Sequence, residues 1–139
     1  MHKSDIVTTN ADNAELKALR RRVFIEEQHV PEELEWDEHD STATHFLLYL
    51  DGRAIACARL KTDGQIGRMA VLPEYRRQGH GSRLLAFVLQ AARQQSLPAV
   101  YLHAQISAIP FYEKHGFSAH GDSFMDAGIE HREMFLNIC

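Results

Sequence analysis

The sequence predicts an α/β domain with a mixed, mostly antiparallel central sheet and helices on both faces. Two observations predict it. Three short apolar runs are separated by tight-turn residues, which is typical of an antiparallel meander, and a stretch with apolar residues at helical spacing follows them. A chain of 139 residues is the size of one domain, so we expect residues 1–139 to form a single unit.

The first predicted element is a helix from about Asp12 to Gln28. Asp12 and Glu15 have the spacing of a capping box, and apolar residues recur at helical intervals from Leu16 onward. The segment after it, VPEELEWDEHDST, is predicted to be a loop with one short helical turn, because Pro31 ends the helix.

Three strands connected by tight turns are predicted next. They are the runs HFLLYL (45–50), RAIACARLK (53–61) and QIGRMAVLP (65–73). Asp51 with Gly52 joins the first two, since an Asp-Gly pair is a strong hairpin signal, and a turn ending at Gly64 joins the last two. Pro73 stops the third strand, and Gly67 within it is expected to mark a β-bulge.

The second half of the chain is predicted to alternate helices and strands. A helix begins at about Gly81, because apolar residues recur at i, i+3, i+4 and i+7 from Leu85. The later predicted elements are, in order, a strand at 99–104, a helix at 107–115 closed by Gly116, and strands at 117–125 and 131–138.

Composition excludes several classes of protein. Fifteen basic residues against 19 acidic ones give a net charge of −4, so bulk charge does not recruit a nucleic acid. No apolar stretch has the length of a signal-peptide core or a membrane span, and we expect a cytoplasmic protein with no membrane partner. The nine histidines lack metal-ligand spacing, so no metal site is expected, and Cys57 and Cys139 are expected to be free thiols.

The segment PEYRRQGHGSRLL, residues 73–85, predicts an anion site. A strand ending at Leu72 leads through a glycine-rich turn to a helix that starts near Gly81. The first N–H groups of a helix lack internal partners and lie at the positive end of its dipole, so they bind phosphates. Arg76 and Arg77 add positive charge beside them. We therefore expect this turn to hold an anion with several oxygens.

Two common phosphate loops do not fit this turn, and a third does. A nucleotide P-loop needs a lysine directly after Gly81, and a dinucleotide loop needs a third glycine where Leu84 stands. The form [Q/R]xxGxG fits at Arg76, Gly79 and Gly81. It resembles the pyrophosphate loop of the Gcn5-related N-acetyltransferases, the GNAT superfamily.

Three further segments extend this resemblance over most of the chain. MAVLPEYR (69–76) is similar to the family's fourth strand, whose backbone pairs with the pantetheine arm of acetyl-CoA. QISAIPFYEKHGF (105–117) resembles the family's second motif, NxxAxxxYxxxGF, with Gln105 in place of the usual Asn. RRRVFIEEQHVPEELEWDEHDSTATHF (20–46) resembles the ElaA-like branch of the family.

The resemblance implies an acetyl-CoA-dependent N-acetyltransferase. Such an enzyme transfers an acetyl group from acetyl-CoA to a primary amine of a small molecule or peptide, by direct attack in a ternary complex. The implied partners are acetyl-CoA and the amine acceptor, and a homodimer is among the assemblies that the resemblance allows. The residues implied to bind acetyl-CoA are Met69, Ala70, Val71, Arg76, Arg77, Gln78, Gly79, His80, Gly81, Ser82, Gln105 and Tyr112.

The resemblance also implies catalytic residues. Tyr112 fits the position that protonates the leaving sulfur. Many relatives place a glutamate base early in the fourth strand, where this chain has Gln65, which cannot take a proton. Glu26, Glu27 and His103 remain as candidate bases, acting directly or through water. The alternative is that the amine arrives already neutral and needs no base.

Eight acidic residues and no lysine or arginine lie between Glu26 and Asp40. Two interpretations are open. The run attracts a cationic amine acceptor, since the corresponding segment of the family lies on the acceptor side, or it is a solvated loop. Trp36, inside the run, either packs beneath it or contacts the acceptor.

Two other functions are kept as alternatives. A non-catalytic acyl-CoA-binding module is suggested by Gln65 at the position of the usual base. An acyltransferase of the homoserine lactone synthase type is suggested by the R..VF pattern near the amino terminus, although the RRQGHG loop and the short chain argue against it.

Overall fold

A computed structural model of the chain describes residues 3–138, which form one seven-stranded sheet with helices packed on it. The strands are β1 (Ser4–Thr9), β2 (Thr44–Leu50), β3 (Arg53–Leu60), β4 (Gln65–Val71), β5 (Ala99–Gln105), β6 (Ser118–Asp126) and β7 (Ile129–Asn137). The α-helices are α1 (Ala14–Arg20), α2 (Glu32–Glu35), α3 (His80–Gln94) and α4 (Ile109–Lys114). A π-helical segment, Arg21–Glu27, continues α1, and 3-10 turns occupy Glu38–Ser41, Pro73–Tyr75 and Ile106–Ala108.

The sheet has the strand order β1-β2-β3-β4-β5-β7-β6, and every neighbouring pair is antiparallel except β4 with β5. The predicted mixed, mostly antiparallel sheet is confirmed, as is the meander of β2, β3 and β4. The parallel pair is short, with Gln65 opposite Tyr101 and Ile66 opposite Leu102. Beyond these two pairs the strands diverge, so a cleft opens in the middle of the sheet.

The core is centred on β3. Its residues from Ile55 to Leu60 are all buried, so both faces of the strand are covered. Helices α1 and α3 both pack on β3. The predicted apolar face of α3, around Leu85 and Val88, is buried as expected. These contacts fix the amino terminus of α3 beside the end of β4.

Strand β1 was not predicted. It pairs antiparallel with β2, from Ser4 opposite Leu50 to Thr9 opposite His45. It is an edge strand whose side chains are mostly exposed or half-buried, so it has no continuous apolar pattern. Its partner strand, β2, begins 35 residues after β1 ends, and the local sequence does not indicate such long-range pairing.

The first helix also differs from its prediction at both ends. Asn13, and not Asp12, caps α1: the Asn13 side chain accepts a hydrogen bond from the Leu16 N–H at 3.0 Å. The predicted helix over 12–28 is an α-helix followed by the π-helical segment. The predicted loop after it contains two helical pieces, α2 and the 3-10 turn Glu38–Ser41, where one was expected.

The expected bulge in β4 is present next to Gly67. Between the pairs Cys57–Ala70 and Arg59–Gly67, β4 contains one residue more than β3. Arg68 lies in this bulge with a φ of +47°, a conformation that costs energy for a residue with a side chain. The bulge turns the Arg68 side chain toward α2, where it donates to the carbonyls of Leu34 and Glu35.

Candidate active site

Two cavities meet at the cleft between β4 and β5. One, of about 590 Å³, runs from β4 to the amino terminus of α3, and we call it the donor groove. The other, of about 450 Å³, lies between β4, β5 and the segment after α1, and we call it the acceptor cavity. Met69, Ala108 and Tyr112 line both. Two molecules that fill the cavities would therefore touch beside these three residues.

The donor groove contains ten of the twelve residues expected to bind acetyl-CoA. They are Met69, Ala70, Val71, Arg76, Arg77, Gly79, His80, Gly81, Ser82 and Tyr112. Gln78 is exposed and is not part of the groove lining. Gln105 lies instead in the acceptor cavity, where its side chain donates to Gln28 Oε1 at 3.0 Å.

The glycine-rich turn leaves the start of α3 open. Gly79 precedes the helix with a φ of +87°, which glycine adopts without strain, and no side chain of the described residues caps the helix. The first backbone N–H groups of α3 are thus without intrahelical acceptors and lie at the positive end of a 15-residue helix. A Cβ on Gly81 would meet the Phe111 ring at 3.5 Å, so this residue lies on the groove surface.

Arg76 is held by a residue that was predicted to be a base. Its guanidinium forms a two-pronged ion pair with Glu27, at 2.7 and 2.8 Å, and its Nε donates to the Val71 carbonyl at 2.8 Å. Hydrogen bonding by Arg76 holds the pKa of Glu27 below its usual value. Glu26 is exposed and lines neither cavity. The two predicted acids therefore differ: one is bound to the donor loop, and the other faces solvent.

Tyr112 lies at the junction of the two cavities. Its hydroxyl approaches the Met69 sulfur at 3.8 Å, and its ring packs edge-on against Phe111 and Phe117. Burial raises the pKa of Tyr112 to about 12. The hydroxyl is therefore protonated at any physiological pH and can donate a hydrogen bond to a group placed between the cavities.

Comparison with known proteins shows which family has this architecture. Residues 7–138 match the family model described as an acetyltransferase (GNAT) domain. The chain belongs to the GNAT family. It is 33% identical over 120 residues to the uncharacterized N-acetyltransferase YjcF of Bacillus subtilis, in an alignment that covers 84% of this chain and 86% of YjcF.

Solved structures of GNAT proteins share the fold. An acyl-CoA N-acyltransferase from Pseudomonas aeruginosa matches with a TM-score of 0.84 and 31% identity, over 96% of this chain and 99% of that one. Escherichia coli ElaA matches with a TM-score of 0.84 and 25% identity, over 94% of this chain and 98% of ElaA. The resemblance to the GNAT family and its ElaA-like branch is confirmed.

A buried charge cluster lies against the acceptor cavity of this GNAT protein, and four of its six members line that cavity. It consists of three arginines and three acids: Arg20, Arg59, Arg68, Glu35, Asp37 and Asp40. Arg20 is only 2% exposed and bonds Glu35 at 2.7 Å and Asp40 at 2.8 Å. The formal charges of the six side chains cancel, which is what a buried site requires.

The strand arginines complete the cluster from the side of the sheet. Arg59 on β3 bonds Asp37 at 2.7 Å and Asp40 at 2.9 Å. Arg68 on β4 reaches Glu35 at 3.2 Å. Burial opposes ionisation of Asp40, but hydrogen bonds from Arg20 and Arg59 outweigh it and lower its pKa to about 2. The cluster therefore fixes the loop at 32–41 onto the sheet.

The structure divides the acid-rich run into two groups, and both interpretations of it remain predictions. Five of the eight acids form ion pairs with arginines, namely Glu27, Glu32, Glu35, Asp37 and Asp40. Glu27 and Glu32 do so at the exposed surface, whereas Glu35, Asp37 and Asp40 belong to the charge cluster. Trp36 packs against the arginines, with the Arg20 guanidinium 4.9 Å from its ring, and it lines neither cavity.

Sequence reasoning missed Arg59 and Arg68, both of which line the acceptor cavity. Each interrupts an otherwise apolar strand, in ACARL and in IGRMA. A buried arginine needs an acidic partner, so the combination of these two arginines with a nearby acid-rich run was the available signal. The partner of each arginine could not be assigned, because it lies 19 to 33 residues away.

Other chemistry has little support among residues 3–138. No group of three potential metal ligands forms within that range, and no helix there is long and apolar enough to cross a membrane. Cys57 is a free, buried thiol whose pKa burial raises to about 12, which makes it a poor nucleophile. Cys139 lies outside the described residues.

Proposed function

We propose that the protein transfers an acetyl group from acetyl-CoA to a primary amine of a small molecule or peptide, by direct attack in a ternary complex. The observation that carries this proposal is the meeting of the donor groove and the acceptor cavity at Met69, Ala108 and Tyr112. Holding the thioester and the amine in contact at one point removes much of the entropic barrier to their reaction.

The donor groove offers what coenzyme A requires. The uncapped N–H groups at the start of α3 suit a pyrophosphate, and Arg77 adds positive charge on the same groove. From Gly67 to Val71 the backbone of β4 has no partner on β5. Apart from the Val71 carbonyl, which accepts from Arg76, this edge is available to pair with the amide groups of pantetheine. The pantetheine arm would then lie in the cleft as an added strand.

The reaction requires that one carbon–nitrogen bond forms and one carbon–sulfur bond breaks. The neutral amine attacks the thioester carbonyl carbon, and backbone N–H groups of β4 near Met69 stabilise the developing oxyanion. As the carbon–sulfur bond breaks, the Tyr112 hydroxyl donates a hydrogen bond to the departing sulfur. The products are coenzyme A and the N-acetylated amine, and one proton is released for each ammonium that enters.

Glu26 and Glu27 are poorly placed to accept the amine proton. The Glu27 carboxylate is bound by Arg76, and its lowered pKa makes it a weaker base. We assign Glu27 the role of holding Arg76 beside the donor groove. Glu26 lines neither cavity, and any part it plays passes through solvent.

Calorimetric titration with acetyl-CoA, followed by a thiol-release assay over a panel of amines, tests the proposal. Saturable binding together with release of coenzyme A that depends on an amine supports it. Binding without release on any amine supports the acyl-CoA-binding module instead. Release with long-chain acyl donors and S-adenosylmethionine, but not with acetyl-CoA and simple amines, supports the homoserine lactone synthase type. Absence of binding at millimolar acetyl-CoA overturns the proposed acetyltransferase activity.

A further inference from the structure

Four polar side chains form a continuous chain along the acceptor cavity. Lys61 Nζ donates to Gln65 Oε1 at 3.0 Å, and Gln65 Nε2 lies 3.4 Å from His103 Nδ1. His103 Nε2 lies 3.5 Å from Glu133 Oε2 on the neighbouring strand β7. Lys61, Gln65 and His103 line the cavity, and Glu133 stands behind them. We call these four side chains the histidine relay.

The donors and acceptors of the relay favour one tautomer of neutral His103. A lysine ammonium only donates, so the oxygen of Gln65 must face Lys61 and its NH₂ group must face His103. An amide NH₂ also only donates, so His103 Nδ1 must carry a lone pair. The ring proton is then on Nε2, which faces the Glu133 carboxylate at 3.5 Å. Phe124 packs edge-on against the ring, with centroids 5.1 Å apart, and holds its orientation.

His103 is the remaining candidate base that faces the acceptor cavity. Its side chain is 34% exposed, so the cavity and its water can reach the ring. Gln65 is an amide and cannot accept a proton itself. Its long contact to His103 Nδ1 is weak, so a water or an amine can replace it.

We propose that His103 is the general base of this acetyltransferase, with Glu133 and Gln65 as positioning residues; the assignment rests on the proposed function. The proton of the entering ammonium passes to His103 Nδ1, directly or through one water, and leaves a neutral amine. Glu133 stabilises the imidazolium that forms. The amine then attacks the thioester carbonyl, and as the carbon–sulfur bond breaks, the remaining excess proton on the nitrogen passes to the departing thiolate, by way of the Tyr112 hydroxyl, to give the amide and coenzyme A. His103 releases its own proton to solvent after the product leaves.

Titratable and charged groups surround His103 on several sides. Glu133 faces it from β7, and Lys61 contacts it through Gln65. Tyr101, on the same strand, has its ring 6.1 Å from His103 and donates its hydroxyl to Asp63 at 2.6 Å. His131 stacks on the Phe124 ring that contacts His103. Among these groups, Glu133 carries the charge nearest to the ring.

The test compares H103N with H120N, an exposed histidine on β6 that lines neither cavity. We expect H103N to lower kcat by about 10²- to 10⁴-fold, with an acetyl-CoA Kd within about two-fold of the wild type, and H120N to change neither. The wild type should lose kcat/KM at low pH as His103 protonates, and H103N should lack this limb. E133Q should lower kcat by less than H103N does and leave the acetyl-CoA Kd within about two-fold, because it removes the charge beside the ring but keeps the base.

Each result separates the base assignment from the proposed function. If the wild type releases no thiol with any amine, the proposed function fails and this inference fails with it. If the wild type is active but H103N keeps its rate and its acidic limb, only the base assignment fails. Long-range ¹H–¹⁵N spectra of the free protein provide a check without turnover: a neutral His103 with its proton on Nδ1 overturns the relay.

Discussion

The buried charge cluster gives a quantitative prediction for Asp40→Asn. The pKa of Asp40 falls from 3.8 to about 2 on folding, which corresponds to about 2.5 kcal/mol of stability at neutral pH, at 1.36 kcal/mol per pKa unit. The substitution also leaves Arg20 and Arg59 with one anion fewer, and breaking a buried pair costs about 3 to 5 kcal/mol. We therefore expect D40N to lose about 2.5 to 5 kcal/mol of unfolding free energy at pH 7.

The sign of the pH dependence follows from the lowered pKa. A carboxylate with a lowered folded pKa stabilises the protein above its unfolded pKa, and this contribution is lost as the pH falls toward the folded value. The gap between the wild type and D40N should thus narrow by about 1 kcal/mol between pH 5 and pH 3.

Urea unfolding, followed by the fluorescence of the single tryptophan, measures this gap directly. Trp36 stacks on Arg20, so its emission reports the cluster itself. Asp122→Asn, an exposed change on β6, is the matched control and should stay within about 0.5 kcal/mol of the wild type. A D40N protein as stable as this control at pH 7, or a gap that is equal at pH 7 and pH 3, would refute the reasoning.

Three further predictions concern the active site. Gly81→Ala should raise the unfolding free energy by up to about 1 kcal/mol, because the new Cβ makes only ordinary contacts. It should also weaken acetyl-CoA binding, because the methyl group fills part of the groove. The melting temperature should therefore rise while the affinity measured by calorimetry falls. Tyr112→Phe should lower kcat by at least about 10-fold while the acetyl-CoA Kd changes less than about two-fold, and an unchanged kcat removes Tyr112 from the reaction. Glu27→Gln should raise the acetyl-CoA Kd and leave the pH profile of kcat unchanged, since Glu27 holds Arg76. If the variant instead no longer loses kcat at low pH, Glu27 is the base.

Much of the donor groove could be predicted from sequence, because the residues that form it are close together along the chain. The turn from Arg76 to Gly81 and the start of α3 lie within a few residues of each other, so spacing alone specifies their geometry. The strands of the meander were predictable for the same reason, since short turns force neighbouring strands to pair. Local structure of this kind depends on few long-range contacts.

The acceptor side depends on contacts that spacing does not encode. Arg76 meets Glu27 across 49 residues, and Gln65 meets His103 across 38. Acids that looked like a surface run are divided among five arginines once the chain folds. Which arginine takes which acid is decided by the bulge in β4 and by the π-helical segment, and neither has a reliable sequence signature.

Within the described part of the sheet, the two residue pairs between β4 and β5 are the shortest ladder between neighbouring strands. If the proposed pantetheine arm pairs with β4 in the cleft, it adds backbone hydrogen bonds at the place where the sheet has fewest. Departure of coenzyme A after turnover would remove these bonds, so product release would also weaken the middle of the sheet.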